Sequence, residues 1–148
     1  DPNYFMIAST LSYFKIALGD YVFNDWQYLG FLTVLVTIDT ILGTYKAIKN
    51  KSLESKAYGR VLEKVLLYAS VLVVAHVMTR FTIAGRESGL LNWFDDLILT
   101  AIMVREAISI MENIAEIKPD LLPTWLMKRF KKFDETGKLK DLINGDDE

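Results

Sequence analysis

WQYLGFLTVLVTIDTILGTY, residues 26–45, is an apolar run whose only formal charge is Asp39. At about 1.5 Å of rise per residue, a helix of this length covers the ~30 Å hydrocarbon core of a bilayer. It opens with Trp26 and Tyr28, where the aromatic belt of a membrane helix sits. Thr33, Thr37, Thr40 and Thr44 recur at spacings of four, three and four, which on a helix forms one stripe of small hydroxyl residues. Such stripes let helices approach closely and hydrogen-bond in lipid. The competing assignment is a buried helix of a soluble protein.

The surrounding composition favours the membrane. The chain has 148 residues, 51% of them hydrophobic, with a formal net charge of −2. Its charges collect in 46–64 and 118–148, leaving long stretches nearly bare. YFMIASTLSYFKIALGDYVF (4–23) is long enough to cross, but Lys15 and Asp20 also suit a helix lying in the interface. A third segment runs over 61–84, with VLLYASVLVVAHVMT (65–79) as its uncharged centre and Glu63, Lys64 and Arg80 expected to snorkel toward the two surfaces. A fourth runs over 90–117. There Arg105, Ser109, Glu112 and Glu116 mark a polar stripe, with Glu106 and Asn113 alongside.

These segments predict an all-α, multi-span protein with three or four membrane helices, an embedded domain over 1–123 and a charged tail over 124–148. No strand is expected, because period-two alternation is absent. Lys46, Lys49, Lys51, Lys56, Arg60 and Lys64 place the first long connector in the cytoplasm, and the acid-rich 80–96 stretch outside. The tail is then cytoplasmic, ending in an NGDDE stretch expected to be disordered. Trp26, Trp93 and Trp125 read as interfacial anchors. KRFKK (128–132), through Lys128, Arg129, Lys131 and Lys132, is expected to attract anionic headgroups at about 1 kcal/mol per basic residue. The alternative is a solvated tail.

Cysteine is absent and His76 is the single histidine, so neither a thiolate nor a histidine metal cluster is available. No nucleophile has a base beside it, and TGK (136–138) lacks the rest of a phosphate-binding loop. Catalysis, a cofactor and nucleic-acid binding are therefore not expected. Asp39, near the middle of its span, would cost about 2.5–3.5 kcal/mol there unless paired or wetted. The expectation is that it pairs with Arg105 or approaches His76; the alternative is that it caps a shorter helix. The 105–116 stripe admits three readings: the lining of an aqueous lesion, packing glue within one subunit, or a helix partly outside the bilayer. His76 is either a pH-sensitive element or, as is commoner for a lone histidine, a hydrogen-bonded core residue. Gly30, Gly43 and Gly59 suit close packing or turns.

The order of these features resembles a phage holin family, the one that includes Gram-positive phage holins and toxin-secretion holins. IDTILGTYKAIKNKSLESKAYGRVLEKV (38–65) is similar to its signature through Asp39, Gly43, Ser55, Gly59 and Lys64. VAHVM (74–78) resembles its mid-helix stretch around a histidine, and REAISIMENIAEIKPDLLP (105–123) its closing features through Glu106, Ser109, Glu112, Asn113 and Pro119. The likeness covers about residues 26–123. Arg80 departs from it, standing where the family often has an acid, and so does the long tail. The resemblance implies a protein of the bacterial inner membrane that homo-oligomerises into lesions releasing an endolysin or toxin. Its implied partners are the lipid bilayer, other copies of the chain, and an antiholin or secretion machinery met through the tail. The alternative is a membrane scaffold or anchor for a secretion or injection assembly, with no pore of its own.

Overall fold

The computed structural model describes residues 1–51, 56–89 and 91–143. Ser55 and the NGDDE end lie outside the described residues. The fold is helical: α1 (Pro2–Tyr21), α2 (Trp26–Lys49), α3 (Lys56–Arg80), α4 (Asn92–Ile117), α5 (Thr124–Thr136) and α6 (Lys140–Ile143). The all-α expectation holds. Helix starts follow local chemistry. Asp1 accepts from the Asn3 N–H at 3.1 Å ahead of Pro2, and Asp25 accepts from the Tyr28 N–H at 3.0 Å. Gly137, at φ 67°, closes α5 and donates its N–H to the Phe133 carbonyl at 2.8 Å.

One expectation is corrected. Thr82–Ile83 (β1) and Arg86–Glu87 (β2) pair antiparallel in a small hairpin. Its central residues, Ala84 and Gly85, both have positive φ, 51° and 77°, as a tight hairpin turn requires. The third segment therefore ends at Arg80 and not at residue 84. At its other end α3 begins at Lys56, so Arg60 and Lys64 belong to a helix and not to the connector.

α4 is the central helix, packed against both α2 and α3. Tyr28 donates to the Leu99 carbonyl at 2.7 Å, Asp39 meets Ser109, and Lys46 meets Glu116, so α2 and α4 run in the same direction. α3 runs the other way. Lys64, near its start, reaches Asp39, whereas Leu72 joins Phe23, Leu32 and Ile102 in the apolar core. α5 does not extend away as a free tail; it packs back on α4 and buries Phe133. α1 buries none of its residues and meets the bundle at its C-terminal end, where the Asp20 carbonyl lies 3.0 Å from His76 Nε2.

What the bundle leaves outside is apolar. On α2, Phe31, Val34, Ile38, Ile41, Tyr45 and Ile48 are exposed at alternating spacings of three and four. On α3, Leu62, Val65, Leu66, Leu67, Val74 and Val77 are exposed as well. Water would penalise such a surface, whereas hydrocarbon would not. Both helices are long and apolar enough to cross a membrane, α2 over Trp26–Lys49 and α3 over Ala57–Arg80. α1 and α4 do not meet that measure among the described residues.

Candidate functional site

Three helices converge on one buried ionic network. Asp39 of α2 is 7% exposed. Its Oδ2 receives the Lys64 ammonium of α3 at 2.8 Å, and its Oδ1 receives the Ser109 hydroxyl and the Asn113 amide of α4, both at 2.8 Å. Lys64 turns between two carboxylates, because its Nζ also lies 3.1 Å from Glu106 Oε1. The same Oε1 accepts from the Tyr68 hydroxyl at 2.6 Å. Glu106 is wholly buried, and its Oε2 has no hydrogen-bond partner among the described residues. At the basic end, Lys46 donates to Asn113 Oδ1 at 3.0 Å and pairs with Glu116 at 2.9 Å.

The donors on Asp39 explain how a carboxylate is tolerated at the middle of an apolar helix. Three hydrogen bonds, one of them from a cation, replace its hydration. Asn113 is oriented by both neighbours, giving its NH₂ to Asp39 and its oxygen to Lys46. The arrangement ties α2, α3 and α4 together. Among the described residues no three acidic or histidine side chains gather as metal ligands.

Arg105 is not the partner of Asp39: it is exposed, while Glu106, one position on, points inward. The inward face of α4 is therefore Glu106, Ser109 and Asn113, spaced three and four. Glu112 is exposed and lies 3.8 Å from Lys131 of α5. His76 sits apart from Asp39, buried, bonded to the Asp20 carbonyl and tilted against the Phe23 ring. This is the hydrogen-bonded core arrangement. Asp39 caps nothing, since α2 continues to Lys49.

The threonine stripe splits. The Thr33, Thr37 and Thr40 hydroxyls each donate at 2.7 Å to the carbonyl four residues back, within α2. Thr33 and Thr37 are exposed, whereas Thr40 and Thr44 are half-buried. Arg129 of α5 stacks over the Trp125 ring at 5.1 Å. Lys128, Lys131 and Lys132 are exposed on the same helix.

Gly43 adjoins the network. A Cβ there would stand 4.0 Å from Asn113 Nδ2, an ordinary contact distance. Gly43→Ala is therefore expected to keep the network and to gain about 0.5–1 kcal/mol of helix stability. Thermal unfolding in detergent checks this: the midpoint should hold or rise, and a fall would mean that Asn113 has no room to spare.

Besides Arg105, the structure corrects Lys64, expected to snorkel and found to turn inward, and it adds Tyr68 and Lys46 to the site. The available signal was Asp39 itself, which needs a cation at its own depth. Lys64 and Tyr68, four apart on α3, present a cation and a donor on one face.

In comparison with known proteins, residues 17–135 match the family model of the bacteriophage holin family. No curated protein and no solved structure matches the chain.

Proposed function

The chain belongs to the bacteriophage holin family, and from that premise we propose that it crosses the bacterial inner membrane and homo-oligomerises into lesions that release an endolysin or toxin. In this reading α2, α3 and α4 are spans and α1 is a fourth. The basic connector between α2 and α3 faces the cytoplasm. α4, too polar to face lipid alone, crosses in the shelter of α2 and α3.

The observation that carries this reading is the network of Asp39, Lys64 and Glu106, held between three helices whose outer surface is largely apolar. In a single subunit it consumes the polar groups of α4 as packing contacts. When subunits associate, the helices exchange partners and the Glu106, Ser109 and Asn113 face of α4 turns to water. The same side chains thus serve first as glue and then as lesion lining. Their hydrogen bonds in the resting subunit have water as the replacement partner, so the change exposes no unpaired charge to lipid.

Membrane potential, followed with a voltage-sensitive dye during inducible expression in bacteria, tests the proposal. A delayed and abrupt collapse is expected. A stable potential despite abundant inserted protein would reject autonomous lesion formation and favour a scaffold or anchor role.

A further inference from the structure

α5 has two unlike faces. Leu126, Phe130 and Phe133, spaced four and three, are its shielded apolar residues, whereas Trp125, Lys128, Lys131 and Lys132 are exposed. Four basic residues, Lys128, Arg129, Lys131 and Lys132, stand against two acids, Asp134 and Glu135, for a net charge of +2.

Its place in the fold conflicts with its chemistry. Lys131 Nζ lies 3.8 Å from Glu112, and a Cβ on Gly137 would stand 4.0 Å from Leu97, so the strap is fastened to α4 at two positions about 22 Å apart along the axis. That stretch of α4 is the one beside Tyr28 and Asp39 of α2. It runs from near the basic end, where Asn113 meets Lys46, toward the opposite end of the bundle. With α4 crossing a bilayer, Asp134 and Glu135, which lie between those two positions, would be held at hydrocarbon depth, with Lys131 and Lys132 toward its basic-side edge. Insertion scales place such charges at about 2.5–3.5 kcal/mol each near the centre. Apolar packing of α5 on α4 gains little over packing on lipid tails, so it does not offset them.

A helix with one apolar face, a basic flank and a tryptophan has a better site in the membrane interface. Lysines near an anionic leaflet are attracted and not penalised. Residues 118–123, which join α4 to α5, are outside the helices; Lys118 is extended, and Pro119 and Pro123 keep helix from propagating through. They form a connector on which α5 can turn.

We propose that α5 is a membrane-docking helix: in a bilayer it leaves α4 and lays its Leu126, Phe130 and Phe133 face on an anionic lipid surface, with Lys128, Lys131 and Lys132 among the headgroups. This rests on the reading that α4 spans. Departure of α5 uncovers a face of α4 along its length.

The absence of cysteine makes the test direct. Spin labels on Leu97→Cys and Lys138→Cys in the full-length chain report the separation of α5 from α4. The pair is compared in detergent, in phosphatidylcholine vesicles and in vesicles containing phosphatidylglycerol. The expected result is a contact-range distance in detergent that lengthens to a separated population with phosphatidylglycerol. Lys128→Gln, Lys131→Gln and Lys132→Gln together should shrink that population several-fold. A contact-range distance retained in phosphatidylglycerol vesicles would overturn the proposal. Equal lengthening in phosphatidylcholine alone, untouched by the glutamines, would overturn the anionic surface as the partner. Whether α4 crosses is read separately, by labelling Trp93→Cys and Lys118→Cys from opposite sides. Lesion formation plays no part in the distance measurement.

Discussion

Lys64→Met should destabilise the bundle more than any other single change in the ionic network. The substitution keeps the apolar stem and removes the charge that two buried carboxylates share. Breaking a buried ion pair from one side costs about 3–5 kcal/mol, because the abandoned charge stays in place. The lower end applies here, since the Lys64 side chain is 31% exposed and the pair is only partly buried. Asp39→Asn should cost far less, about 1 kcal/mol. Its side-chain oxygen still accepts from Ser109 and Asn113, and Lys64 keeps Glu106. Glu106→Gln should be similarly mild, with Tyr68 retained as donor. The triple variant Lys64→Met, Asp39→Asn, Glu106→Gln should recover most of the loss, as no ion is left unpaired. Unfolding in detergent micelles provides the ranking. If Lys64→Met proves as mild as Asp39→Asn, the network does not hold the helices together.

Phe133→Ala should release α5 while leaving the three-helix bundle in place. Phe133 is 1% exposed and is the largest apolar side chain so fully buried. Truncating a buried phenylalanine typically costs about 3–5 kcal/mol. Here the loss falls on a local unit: α5, with α6, docked on α4. Trypsin applied in detergent should cut among Lys128, Arg129, Lys131 and Lys132 much faster in the variant than in the parent. The main unfolding transition should stay within about 1 kcal/mol of the parent, as expected for distant sites. A collapse of that transition would mean that α5 is an integral part of the bundle.

The two apolar helices were legible in the sequence because hydrophobic runs as long as a bilayer is thick have few alternative uses. Asp39 was legible as a special position for the same reason. Its partner was not. Arg105, Ser109, Glu112 and Glu116 share a helical spacing with Glu106, Ser109 and Asn113, and both sets run through Ser109. Periodicity therefore left the inward face of α4 undecided by about one residue, roughly 100° on a helix. What α2 and α3 present settles it: Lys64 and Tyr68 select Glu106, and Lys46 selects Asn113. Lys64 itself has a stem long enough to snorkel or to turn inward, and composition does not distinguish the two.

Elsewhere, charge density concealed packing. The basic run 128–132 pointed to a solvated or surface-bound tail, yet Leu126, Phe130 and Phe133 already carried the spacing of an apolar helix face. The hairpin was harder still. Ala84 is a poor candidate for a positive φ, and two-residue strands leave no alternation to detect. Ser9, Thr10 and Ser12 of α1 direct their hydroxyls to their own helix carbonyls at 2.9–3.0 Å, so they need no partner outside it. That suits a helix in contact with lipid, whether crossing or lying in the interface, the two readings that 4–23 leaves open.

In the proposed function the polar face of α4 is engaged between helices in the resting subunit and lines water only in the lesion. Ser109→Cys places one thiol in a chain that has no other. A membrane-impermeant thiol reagent is applied to expressing cells while a dye tracks the potential. Little labelling is expected before collapse, and rapid labelling after it. Labelling before collapse, or protection that persists through it, would reject this face as the lesion lining.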